Sequence, residues 1–222
     1  MTMKKTIAIL VLTIAGSFGI FAQFSTTNAL PGEIEFGGLF RFEYAMDELS
    51  KLFNVRICSE NNAPLSPLPF LVFESMTFTD ATFEEVIGTY FDKVTNHVWR
   101  YEGQTDTIYV HPATNAISMV RVGPISVTNL SLRAFFNSDD VLGLKEHGVD
   151  FVEYRVDWTS EFWTSPKISL EMDESYLWEV LDAITEQESF FKSWQITPGY
   201  DESKNPRRRL QFNRRDYRTK QE

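Results

Sequence analysis

Three histidines, one cysteine and several clustered acids are the residues of this 222-residue chain that chemistry would draw on. His97, His111 and His147 lie much further apart than the His-x3-His or Cys-x2-Cys spacing of a metal site. His97 and His111 meet across a hairpin only as a strand-surface pair, with no carboxylate beside them as a third ligand. No metal and no cofactor is expected. Cys58 closes the apolar run Val55-Arg56-Ile57-Cys58 and reads as a small buried residue, not a thiolate nucleophile. Glu84, Glu85, Glu171, Asp173, Glu174 and Glu179 supply the carboxylates that a glycoside hydrolase would pair. Asp80, Glu84, Glu85, Glu174 and Glu179, however, stand at helix starts, where the helix dipole favours negative charge, so the structural reading is preferred. No glycine-rich phosphate loop occurs, and no catalytic residue is assigned.

Two other groups are candidates for binding. Trp158 and Trp163 lie with Phe162 in the polar segment from Asp157 to Pro166, where exposed indoles would contact a partner protein or a sugar ring. Arg207, Arg208 and Arg209 fall in a basic end: residues 201–222 hold eight Lys/Arg against four Asp/Glu. Such a run suits lipid phosphates or an acidic partner, and its plainer reading is a solvated end. The rest of the chain is acidic. Without residues 1–22 there are 19 basic and 31 acidic residues, a net charge of −12 against −10 for the whole sequence. That balance argues against nucleic-acid binding, which needs Lys and Arg for phosphate contacts.

Residues 1–22 have the pattern of a secretory signal peptide. Lys4 and Lys5 precede an apolar stretch from Ile7 to Phe21, and Ala22 offers a small residue at the cut. The chain is thus expected to work in the periplasm or outside the cell. Retention of the segment as a membrane anchor is the other reading. With Cys58 alone, an internal disulfide is ruled out, so stability must come from an apolar core. The supply is adequate, at 43% hydrophobic and 14% aromatic residues.

The elements that must position these residues follow from periodicity. Ala45, Leu49, Leu52 and Phe53 place a helix over 44–53, and Val55 to Cys58 a strand. Residues 59–69, with Pro64, Pro67 and Pro69, read as a surface loop. Met76 to Thr79 alternates as a half-buried strand. Phe83, Val86, Ile87, Tyr90, Phe91 and Val94 form the apolar face of a helix opened by a Thr82–Glu85 capping box. His97 to Tyr101 and Thr107 to His111 flank a Gly-containing loop as a hairpin, and 112–115 reads as a linker. The plan then recurs 94 residues later. Ile168 to Met172 alternates, and Leu177, Val180, Leu181 and Ile184 mark a second helix, with Glu179-Val180-Leu181 falling on Glu85-Val86-Ile87. The expected architecture is α+β, in two similar β-α-β-β-α-β(β) units at 30–112 and 117–213. They read as an internal duplication, followed by a basic tail at 214–222.

The stretch from Ile34 to His111 resembles the secretin and TonB short N-terminal domain. The likeness rests on helix Tyr44-Ala45-Met46-Asp47-Glu48-Leu49, strand Val55-Arg56-Ile57, the run Met76-Thr77-Phe78-Thr79-Asp80-Ala81-Thr82-Phe83-Glu84-Glu85-Val86-Ile87, and the closing strand pair. It implies paired βαβ units that work by protein contact, as periplasmic modules of secretins or receptors, without catalysis. No segment alternates long enough for a barrel, so a free-standing relative is expected. The reading that follows is an exported, non-enzymatic interaction protein with an envelope protein as partner; sequence leaves its oligomeric state open. The alternatives are a small hydrolase and a carbohydrate-binding module using the loop tryptophans.

Overall fold

The computed structural model describes residues 24–40, 42–61, 71–93, 96–137, 149–151, 167–187, 191–200 and 206–214. The signal-peptide segment, His147, Trp158 and Trp163 lie outside the described residues, as does the end from 215. No helix among the described residues is long and apolar enough to cross a membrane.

The fold is α+β. Its first half runs β1 (Glu33–Phe40), α1 (Phe42–Leu52), β2 (Arg56–Glu60), β3 (Leu71–Thr79), α2 (Phe83–Lys93), β4 (His97–Glu102) and β5 (Thr107–Pro112). A 3-10 turn at Ile117–Met119 and the short β6 (Arg121–Val122) lead into the second half. There β7 (Ile125–Ser131), α3 (Leu132–Asn137), β8 (Val149–Phe151), β9 (Lys167–Met172), β10 (Ser175–Tyr176), α4 (Leu177–Gln187), β11 (Phe191–Tyr200) and β12 (Pro206–Arg214) follow. Helix α2 begins where its capping box requires. Glu85 accepts from the Thr82 backbone N–H at 2.8 Å, while the Thr82 hydroxyl accepts from the Glu85 N–H at 3.2 Å. It buries Phe83, Val86, Ile87 and Tyr90, each worth roughly 1.5–3 kcal/mol against exposure. Helix α4 starts 94 residues later with the same length and a one-sided version of the box, Glu179 accepting from the Tyr176 N–H at 2.7 Å.

Pairing is the same in the two halves. β1 and β7 run antiparallel to β3 and β9, β4 and β11 antiparallel to β5 and β12, and β2 and β8 parallel to β5 and β12. The halves do not stand apart. Strand β2 pairs in parallel with β11, joining them in one six-stranded sheet of order β4-β5-β2-β11-β12-β8. Residues 112–115 accordingly turn within one body: Pro112 is the buried end of β5, and the Ala113 N–H bonds the Asn96 carbonyl at 2.9 Å.

That join corrects the loop expected at 59–69. Ser59 and Glu60 belong to β2 and are buried opposite Gln195 and Ile196, and Asn61 donates to the Ile196 carbonyl at 2.8 Å. The partner strand lies about 135 residues away in sequence, beyond any local pattern. Residues 62–70 lie outside the described residues.

Alternation along the strands separates two cores. Ile57, Ile108 and Val110 pack with α1, α2, Ile34 and Phe36. Their neighbours Cys58 and Tyr109 instead join Leu132, Phe135, Val180, Leu181, Ile184, Trp194, Ile196, Leu210 and Phe212. Each half therefore keeps its own helices on the opposite face of the shared sheet. Trp194 is core, and Trp99 packs at the margin of the first core.

Candidate functional site

The residues with most chemical potential meet where the second half's α4 covers the far face of the first half's strands. Asp182, in α4, is 6% exposed. Its carboxylate accepts from Trp194 Nε1 of β11 at 2.8 Å and from the Tyr109 hydroxyl of β5, and it pairs with Arg56 Nη2 of β2 at 2.9 Å. Cys58 Sγ lies 3.9 Å from the same carboxylate. Arg100 of β4 stacks over the Tyr109 and Trp178 rings, with its guanidinium carbon 4.6 and 4.3 Å from their centroids.

Burial pushes the Asp182 carboxyl up to about 6, against the opposing pull of the Arg56 charge and the Trp194 N–H; Glu186 adds to the rise and Arg100 to the fall. Cys58 is fully buried, and burial together with the Asp182 charge pushes its thiol up to about 12. A thiol so placed is neutral and covered, the opposite of what a nucleophile needs. The cluster holds the two halves together, since Arg56, Cys58 and Tyr109 come from one and Asp182 and Trp194 from the other.

A second carboxylate works at the same seam. Glu60 is fully buried; it accepts from the Ile117 and Ser118 backbone N–H groups, both at 2.8 Å, and from Arg208 Nη1 of β12 at 3.4 Å. A buried carboxylate is tolerated only with such partners. On the opposite face, Asp47 of α1 accepts from Gln195 Nε2 at 3.1 Å and Asn213 Nδ2 at 3.5 Å, so the first half's helix in turn grips the second half's strands.

Outside this seam, β4 has no neighbour but β5 among the described strands. Val98 on β4, the outer strand of the described sheet, is 42% exposed, and Met119 of the 3-10 turn is 40% exposed. Together with Arg100, His111, Ser118 and half-buried Trp178, Met119 borders a small recess over Tyr109. No family model and no curated protein matches the chain. Its site has to be judged on its own residues.

The residues singled out from sequence are placed differently. Trp158 and Trp163 fall outside the described residues. Arg207, Arg208 and Arg209 do not belong to a solvated end: they are in β12, opposite Gly199, Pro198 and Thr197. Successive strand residues point to opposite faces, so the triplet presents no single basic surface. Arg208 turns to Glu60, and the Arg209 stem lies against Gly199, where an added Cβ would come within 2.6 Å of it. His97 and His111 do not form a pair; His97 stands opposite Pro112 and stacks near Phe91 and Phe42, while His111 Nδ1 is 2.8 Å from the Pro112 carbonyl. Among the described residues no group of three His, Cys, Asp or Glu is placed to hold a metal. The acids are dispersed as well: Glu84 accepts from the Thr26 hydroxyl at 2.6 Å, Glu85 and Glu179 cap helices, Glu171 meets Ser126 at 3.3 Å and Glu174 faces Arg121 at 3.7 Å. Sequence reasoning missed Asp182, Glu60, Arg56 and Arg100. The one signal for Asp182 was a charge beside the apolar stripe of α4.

Proposed function

We propose that the chain is an exported, non-enzymatic protein–protein interaction module of the bacterial envelope, linked to secretion or uptake machinery, and that it makes contact through the β4 end of its sheet. The observation that carries this reading is the exposed Val98 on the outer strand, two residues from Arg100, whose stack on Trp178 borders one recess with exposed Met119. An outer strand offers backbone groups for pairing, and Trp, Arg and Met are the side chains that anchor contacts. The most polar cluster, around Asp182, is committed to joining the halves and lies covered. The signal-peptide pattern and the likeness to the secretin and TonB short N-terminal domain support the location and the mode of action.

The test is a photo-reactive amino acid at position 98, with a control at exposed Thr77 on β3, in cells that export the protein. Adducts to protein at 98 and not at 77 are expected. Equal labelling at both positions, or none at 98, would overturn the reading.

A further inference from the structure

The join between the halves has a geometry that leaves its two outer edges complementary. Strand β4 runs antiparallel to β5, while β5, β2 and β11 run the same way. Strand β12 reverses and β8 follows it. β4 and β8, at the two ends of the described sheet, therefore run in the same direction. The strand order and directions of the second half are those of the first after a half-turn about the sheet's lateral axis and a shift along it, with the helices on the other face. Repeating that operation restores the original direction and face. A third unit beside β8 would thus sit as the first half does, presenting its β4 in parallel, as β11 is presented to β2.

From this we infer that a second copy of the chain docks head to tail, the edge of β8 that has no partner among the described strands meeting the corresponding edge of β4 in the next molecule. The inference rests on the contact reading above and names its partner. Two observations support that choice. At the internal join α4 sends Asp182 onto the first half's strands. The matching position in α2, 94 residues earlier, is Gly88, and a Cβ there would meet nothing within 4 Å. Space thus stands open where α2 would cover the β12–β8 face of the preceding copy. The outer face of β4 carries exposed Val98, whereas Ser193 on the matching outer face of β11 is buried and accepts from Asn213, which also reaches Asp47 of α1. The contact is heterologous, with different surfaces on the two copies, so it propagates into a ring or filament as the sheet's twist dictates.

The experiment uses purified chain beginning at Gln23, which keeps every described element, and follows mass by sedimentation from micromolar to millimolar concentration. Concentration-dependent growth beyond a dimer is expected, and Val98→Lys should weaken it by at least about tenfold, because a charge would have to be buried in the contact. A photo-reactive group at position 98 should label the second half of another copy, around β8 and β12. A chain monomeric throughout, a closed dimer, or labelling of β4 by β4 would overturn head-to-tail docking. If the pure chain stays monomeric while position 98 labels a different protein in cells, the self-contact fails and the contact reading stands. If nothing is labelled in either setting, both fail.

Discussion

The two halves share one set of strand pairings but meet different surroundings. In the second half, α4 lies against its own core and against the first half, and the position facing outward is Asp182, satisfied by Arg56, Tyr109 and Trp194. In the first half, the same position of α2 is Gly88, facing open space. Likewise β11 is sandwiched between β2 and β12, while β4 has β5 alone among the described strands. A shared plan thus becomes a structural seam where it has a neighbour and an outer edge where it has none among the described strands.

The largest effect should come from breaking the seam. Asp182→Ala leaves a buried guanidinium, hydroxyl and indole N–H without their acceptor, and should cost about 3–5 kcal/mol in chemical denaturation. Both halves should unfold in that one transition, since the change acts on strands from each.

Next in size is a pH effect. With its carboxyl raised to about 6 from the ordinary value of 3.8, folded Asp182 holds, between those two pH values, a proton that the unfolded chain has released. Stability from this group is full below the unfolded value and is lost as pH rises through about 6, by roughly 2–3 kcal/mol at most. Asp182→Asn should remove that part of the fall between about pH 4 and pH 6 in denaturation curves taken across the range.

Smaller effects compare the helix starts. Thr82→Ala removes half of a reciprocal capping box and should cost about 1 kcal/mol, read as a shift in denaturation midpoint. Tyr176, at the same place before α4, gives only its backbone N–H, so side-chain substitution there should leave the cap intact. Gly88→Ala should stabilise α2 by up to about 1 kcal/mol, since the added methyl meets nothing and helix propensity improves.

Much of the fold could be read from local pattern. The face of α2, its Thr82–Glu85 start and the β4–β5 hairpin all depend on neighbours within a few residues. What could not be read were partners distant in sequence. Ser59 and Glu60 run into a proline-rich stretch and look like loop, yet they are strand because β11 pairs with them. Arg207 to Arg209 look like a basic end, yet β11 on one side and β8 on the other hold them in the sheet. Asp182 looks like an ordinary helix charge until Arg56, Tyr109 and Trp194 are brought to it from three strands. The outer edge was legible least of all, because exposure of Val98 depends on which strand lies outermost.

Amide hydrogen exchange compares the two matching strands most directly. In dilute protein, the β11 amides should be protected throughout, whereas those on the outer side of β4, within Val98 to Glu102, should exchange freely and become protected as concentration rises. Protection of β4 equal to that of β11 in the dilute chain, or free exchange of β4 at every concentration with no partner able to slow it, would contradict contact through that edge.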